Sequence, residues 1–263
     1  TGMDLSRRPR RLRSDGVRPL VRETDLSASD LIAPVFVDAT TDERVPIESM
    51  PGHERVPVDE AVARVEEVLE KIEERLPTID NLIFESAVFR KRTMGVGVIP
   101  KEWADQTALT GPVVRGMGIP RDVRKDYPYL KYPELDFDVV TEDGSDIYAR
   151  ALVRRREIDQ AIDLIRQILA KMPKDGPVST RTGNMLRWQV PAGQTYVRAE
   201  ATRGEFGYFI VTDGTDKIRR FHVRGPSYVH GVSLLERMLP GLNISDMYPL
   251  MGSLQVCPPE IER

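Results

Sequence analysis

Asp146-Ile147-Tyr148-Ala149-Arg150-Ala151-Leu152-Val153-Arg154-Arg155-Arg156-Glu157-Ile158-Asp159-Gln160-Ala161-Ile162-Asp163-Leu164-Ile165-Arg166-Gln167-Ile168-Leu169-Ala170-Lys171-Met172 is the longest periodic stretch in the chain. Ile147, Leu152, Ile158, Ala161, Ile162, Leu164, Ile165, Ile168 and Leu169 recur near helical spacing, and Pro173, which has no amide to donate, stops the pattern. The spacing predicts a core helix. Its Arg154-Arg155-Arg156 run is expected on a solvated or partner-facing side.

Upstream, Val62, Val65, Val68, Leu69, Ile72 and Leu76 alternate with Glu66, Glu67, Glu70, Glu73 and Glu74 on other faces, which predicts a helix from Asp59 to Leu76. Pro77 suits the first turn of a second helix, from Thr78 to about Arg92. The pattern does not sustain the heptads of a coiled coil. Downstream of Gly176 the period falls towards two. Trp188–Val190, Thr195–Ala201, Phe206–Asp213 and Lys217–Val223 read as strands, the last three joined by Thr202-Arg203-Gly204-Glu205 and Asp213-Gly214-Thr215-Asp216 turns. Helices from Ser227 to Leu239 and from Ile244 to Gly252 lead into the tail Ser253-Leu254-Gln255-Val256-Cys257-Pro258-Pro259-Glu260-Ile261-Glu262-Arg263. That tail mixes apolar and ionisable residues and is expected to be buried.

Between the helices, Thr93 to Asp143 is punctuated by Gly and Pro and has room only for short helices at Pro100–Gln106 and Pro112–Arg115. So long an irregular segment is expected to be functional or spread over a partner. The beginning of the chain differs again. Arg7, Arg8, Arg10, Arg11 and Arg13 suggest an extended arm, Ile32–Val37 reads as a buried strand, and Val45–Gly52 as a loop.

With 40% hydrophobic and 30% charged residues over 263 positions and a net charge of -3, the composition is that of a soluble α+β protein and argues against nucleic acid as the main partner. One cysteine excludes an internal disulfide and a CxxC metal site, and suits a reducing compartment. No apolar run approaches the roughly 20 residues of a membrane-spanning helix, and no apolar stretch follows the N-terminal arginines to make a secretory signal. The chain is expected to be soluble or held at a membrane by other subunits.

Candidate chemistry is sparse. His222 and His230 lack a third ligand motif, so a metal site is unsupported. Cys257 has no neighbouring histidine and reads as a structural thiol. Gly116-Met117-Gly118 has neither the strand nor the long helix of a dinucleotide loop, and no GxSxG, P-loop or HExxH occurs. Arg115, Asp122, Arg124, Lys125 and Asp126 form a dense charged cluster, open to two readings: surface ion pairs, or charges at an interface or in a water-filled cavity that hold a polar ligand or relay protons.

Two resemblances sharpen this. Arg8-Pro9-Arg10-Arg11-Leu12-Arg13, Leu20–Thr24, Asp30–Val37 and Pro46–Gly52 resemble the N-terminus of delta-aminolevulinic acid dehydratase (porphobilinogen synthase). In that family the arm wraps a neighbouring subunit and the strand opens a TIM barrel, but neither its lysine motifs nor its metal-binding cysteines follow here. Asn81–Gly97, Thr110–Gly118, Asp122–Tyr129, Leu135–Val139, Val190–Gln194, Arg203–Tyr208 and Arg224–Ser227 resemble, in order and spacing, the C-terminal half of the D subunit of respiratory complex I and F420H2 dehydrogenases, which descends from the hydrogenase large subunit. Two segments are implied: 1–64, a dehydratase-like arm and strand, and 65–263, a helix-rich hydrogenase-like core with a small antiparallel sheet.

The second resemblance implies an electron-transfer component beside a quinone-type carrier, with an iron-sulfur cluster on a partner subunit and no metal in this chain. It implies a peripheral place on the inner face of the cell membrane, reached through partners, and no activity for the chain alone. Glu260 and Arg263 would orient the headgroup or handle protons; Val256, Cys257, Arg115, Asp122 and Arg124 would bind the carrier. Gln255 stands where the family usually has aspartate, Pro258-Pro259 where it usually has Met-Gly, and the family's headgroup histidine and tyrosine belong to a half that is not represented. Nickel is excluded by the cysteine count. The alternatives are a porphobilinogen synthase-like lyase fragment, or a non-enzymatic composite with an interaction role only.

Overall fold

Asp146 starts the central helix by accepting a hydrogen bond from the Ala149 amide at 2.7 Å. In the computed structural model, which describes Ser27 and residues 30–32, 34–173 and 189–262, this helix, α6, spans Ile147–Lys171. The expected position is right; the Arg run is not one surface. Arg154 is largely buried, Arg155 pairs with Asp80 and Asp159, and Arg156 reaches Glu142 from a half-exposed position. Helix α1 runs Val58–Ile79 straight through Pro77. Leu76 is buried against Ile162 of α6 and Asp80 is gripped by Arg155, so packing on both sides of Pro77 outweighs its missing donor. The break falls later: a π turn at Asp80–Phe84, then Ser86, whose hydroxyl caps α2, Ala87–Thr93.

The chain divides into two compact units, Thr1–Ala61 and Val62–Arg263. In the first, β1 (Phe36–Asp38), β2 (Val45–Pro46) and β3 (Glu54–Pro57) form a sheet in the order β1-β3-β2, parallel at β1/β3 and antiparallel at β2/β3. The strand expected at Ile32–Val37 forms only from Phe36 and is not buried: Ile32, Val35 and Val37 are exposed. Val56 is the one buried apolar side chain among the described residues of this unit.

In the second unit, short helices α3 (Trp103–Gln106) and α4 (Pro112–Arg115) occur as expected, and a further one, α5 (Val123–Asp126), is capped by Asp122. Ile99, Leu109, Val113, Val114 and Met117 from this stretch join Ile147, Leu234, Leu250 and Leu254 in the main core. Strands β4 (Gly193–Ala201), β5 (Gly204–Thr212) and β6 (Ile218–Arg224) form the small antiparallel sheet. The fourth expected strand does not form at Gln189 and Val190, and Trp188 lies outside the described residues. Gly111 must be glycine: its φ is +68°, and a Cβ there would lie 2.4 Å from the Arg203 carbonyl of the β4–β5 turn. The fold is thus α+β, helix-rich with one small antiparallel sheet. Helices α7 (Pro226–Tyr228) and α8 (Leu235–Met238) flank a π stretch at Val229–Leu234, α9 spans Met247–Leu254, and Gln255, in left-handed conformation at φ 52°, turns the tail into α10, Pro258–Ile261.

Candidate functional site

Arg115, at the end of α4, is 2% exposed and organises the polar interior. Its Nη1 donates to Glu200 Oε1 at 2.7 Å and to the Arg121 carbonyl at 3.1 Å, and stands 3.5 Å from Asp122 Oδ2. Its Nη2 lies 2.8 Å from Glu157 Oε1, a contact whose angle falls short of a hydrogen bond. Arg124 clamps Asp122 from the other side, Nη2 to Oδ2 at 2.6 Å and Nε to Oδ1 at 2.9 Å. Glu200 Oε2 accepts from the Val123 amide at 3.1 Å. Arg154 is the third arginine of the group, interacting with the charge of Glu157 while its Nε and Nη2 lack a partner.

Burial works against every charge here, and the partners decide the outcome. Burial pulls the Asp122 carboxyl up, yet Arg124 and Arg115 hold it below the usual range. Burial lowers the Arg124 guanidinium's affinity for its proton, and Asp122 more than restores it. For Glu200 burial wins over Arg115, and its pKa is raised. Arg115 and Asp122 are therefore buried and not paired on the surface, whereas Lys125 and Asp126 are exposed. Asp126 accepts from the Asp122 amide at 3.0 Å, and the Lys125 ammonium lies 4.1 Å from the centre of the Phe137 ring. Glu157, Glu200 and Arg154 carry no signal in the sequence that assigns them here; only the sheet's return to α4 and α5 brings Glu200 to Arg115.

The tail is fastened at two points. Arg150, fully buried on α6, donates from Nε to Ser253 Oγ at 3.0 Å, from Nη1 to the Ser145 carbonyl at 2.8 Å and from Nη2 to the Gly97 carbonyl at 3.0 Å. Burial and the nearby Arg154 push its pKa down to about 9. Glu260 of α10 is buried, and accepts from the Ser227 amide at 3.0 Å and the Ser227 hydroxyl at 2.6 Å, satisfying the first turn of α7. Gly225 leaves room for this carboxylate, since a Cβ there would come within 2.3 Å of Glu260 Oε1 and push the side chain aside. Val256 packs beside the core and over Gly231, Cys257 is half-buried, and Arg263 lies outside the described residues.

His230 links the two regions, a role that its place in the sequence does not reveal. It is fully buried in the π stretch and neither ring nitrogen has a well-formed hydrogen bond. Burial, then the charge of Arg154, push its pKa down to about 3, against an upward pull from the Leu254 backbone. Beside the network opens a pocket of about 480 Å³, walled by Arg121, Asp126, Arg198, Glu200, Glu205 and Arg224. Among the described residues no group of His, Cys, Asp and Glu could hold a metal ion, and no helix is long and apolar enough to cross a membrane.

This fold, a helical core with a three-stranded sheet and an inward-turned tail, is similar to part of a chain from a respiratory membrane complex. It matches a chain in the structure of the membrane-bound sulfane sulfur reductase, an archaeal respiratory membrane complex, with a TM-score of 0.75 and 40% identity over 80% of this chain and 57% of that one. The chain belongs to the family of the respiratory-chain NADH dehydrogenase 49 Kd subunit, whose model matches residues 49–263. Relatives include the D subunit of the NADH-quinone oxidoreductase of Thermosipho melanesiensis, 41% identical over 199 residues, 75% of this chain and 54% of that protein. The D subunit of the F(420)H(2) dehydrogenase of Methanosarcina mazei is 36% identical over 203 residues, 74% of this chain and 53% of that protein. The chain thus spans about half the length of the curated relatives it matches. A second family model, delta-aminolevulinic acid dehydratase, matches residues 6–83 and so overlaps the first across α1.

Proposed function

We propose that the chain is a component of a membrane-associated NADH or F420H2:quinone-type oxidoreductase, helping to shape the site where a quinone-type carrier takes electrons from an iron-sulfur cluster on a partner subunit. The observation that carries this reading is the interior ion network of Arg115, Asp122, Arg124, Glu157 and Glu200, which lies wholly within the residues matched by the respiratory family. Held charges that need not reorganise suit a site where charge arrives on a carrier. In this reading Arg115, Asp122 and Arg124 set the field around the headgroup. Val256 and Cys257 form part of its wall, and Glu260, oriented by Ser227, acts with Arg263 on the headgroup or its protons. The chain sits peripherally on the inner face of the membrane through its partners, and residues 1–64 form a dehydratase-like segment joined to the respiratory part within α1.

The test is purification of the full chain from cells that express it. Copurification with an iron-sulfur protein, and a membrane quinone-reductase activity that falls about tenfold or more in Glu260→Gln as expected for a charged donor or orienting group, support the reading. Porphobilinogen formed from aminolevulinate by the purified chain would overturn it in favour of a lyase.

A further inference from the structure

The pocket beside the ion network is walled by three arginines, Arg121, Arg198 and Arg224, and three carboxylates, Asp126, Glu200 and Glu205, and most of these groups are already engaged. Arg121 donates to the Leu109 carbonyl at 3.2 Å and to Asp105 at 2.8 Å, and Arg224 to the Glu205 and Ala108 carbonyls, each at 3.0 Å. Glu200 is held by Arg115 and by the Val123 amide. Glu205 accepts from the Tyr196 hydroxyl at 2.8 Å and lies 3.7 Å from both Arg198 and Arg224. Two groups keep spare capacity. Among the described residues Arg198 makes no hydrogen bond; its guanidinium carbon lies 3.2 Å from the centre of the Tyr127 ring, and its nearest carboxylate is Glu205 at 3.7 Å. Asp126 accepts from the Asp122 amide with Oδ2 at 3.0 Å, and among the described residues no cation comes within ion-pair range of it.

A guanidinium held over a ring face keeps its N–H groups for a planar acceptor, and is a ready receptor for a carboxylate. An unpaired carboxylate is the matching receptor for an ammonium. Both stand on the wall of one cavity of about 480 Å³, within the size range of small-molecule sites. The rim is held as well: Ala108, a lining residue, sits in the left-handed region at φ 50°, and Arg224 fastens its carbonyl. A ligand with a single charge would satisfy one of the two groups and leave the other facing it unpaired. We propose that the pocket binds a small zwitterion of the amino-acid class, its carboxylate on Arg198 and its ammonium on Asp126. This site does not depend on the quinone-site reading, because its contacts are with the pocket's own walls and its readout is binding, so either can fail without the other.

The experiment is calorimetric titration of the full chain with four six-carbon probes. L-norleucine and ε-aminocaproate carry both charges, at short and long separation; hexanoate and hexylamine carry one each. One of the two zwitterions is expected to bind about tenfold or more tighter than hexanoate and hexylamine, the worth of one charge-assisted hydrogen bond, and which one it is fixes the charge separation that the pocket takes. Arg198→Met and Asp126→Asn should each weaken that binding by about the same factor. Lys131→Met, whose ion pair with Glu134 lies outside the pocket, should leave it unchanged. The variants are checked for an unchanged circular dichroism spectrum and thermal transition, and the probe comparison on the native chain stands even where a variant does not fold. Hexanoate binding as tightly as the better zwitterion would reduce the pocket to a carboxylate site and overturn the proposal. So would the binding of neither zwitterion, or binding that both folded variants retain.

Discussion

The described residues of the first unit and the polar interior of the second are both held by arginine–carboxylate pairs, yet the pairs do opposite work. Arg44 meets Glu54 and Glu60, and Arg55 meets Asp38, with arginine side chains 53 and 52% exposed. Around them, among the described residues, only Val56 is buried. Arg115 meets Glu200 with side chains 2 and 5% exposed, inside a unit with a continuous apolar core. In water the first kind of pair competes with solvent and salt and adds little. In the interior the cost of desolvation has already been met, so each charge depends on the others.

The contrast would be broken most directly at Arg115. Arg115→Met takes the arginine away from Glu157 and Glu200 and leaves Asp122 to Arg124 alone, and is expected to cost about 3–5 kcal/mol in urea unfolding. Adding Glu200→Gln should recover part of that loss, because one uncompensated carboxylate becomes neutral. If the single variant costs no more than a surface pair does, the network is not the organising feature. Second in size is the acid response of His230. Its folded pKa of about 3 lies below the ordinary histidine value of 6.5, so the folded state refuses a proton that the unfolded chain binds. This group's contribution is unaffected above pH 6.5 and is lost as pH falls from there towards 3, by roughly 2–3 kcal/mol at pH 4.5. The urea midpoint at pH 7 and at pH 4.5 should separate steeply in the native chain and less in His230→Leu. Third, Glu260→Gln leaves the Ser227 amide or hydroxyl with a poorer acceptor and should cost about 1–2 kcal/mol, with Ser227→Ala non-additive to it.

What could be read in advance divides along the same line. Helix α6 and the antiparallel strands were legible because apolar spacing is local, and α6 ends where Pro173 follows it. The fate of three consecutive arginines was not. Arg154 goes inward towards Glu157, Arg155 pairs with Asp80, and Arg156 faces solvent, a division set by what packs on each side of the helix. Pro77 misled for the same reason, since Leu76 and Asp80 hold α1 onto α6 across it. At the site, Arg115, Asp122 and Arg124 are neighbours in sequence and could be picked out. Glu200 and His230 come from distant elements and carry no local signature. In the first unit, Ile32–Val37 has the composition of a buried strand, but only Phe36–Asp38 pairs, and that on one side.

The smallest effect is the most discriminating control. Arg44 Nε and Nη2 each donate to Glu60 at 2.8 Å and Nη1 reaches Glu54 at 3.5 Å, a geometry as good as any in the interior network. Geometry alone would therefore predict comparable worth for Arg44 and Arg115, whereas burial predicts that Arg44 matters little. Arg44→Ala should leave the global urea midpoint unchanged within error and only quicken local amide exchange near His53 and β3, where the Ile47–His53 turn closes. A shift of the global midpoint matching that of Arg115→Met would show that bidentate geometry, and not burial, sets the worth of these pairs. No shift, alongside a large loss at Arg115, assigns the difference to desolvation, because donor, acceptor type and distance are held nearly constant between the two sites.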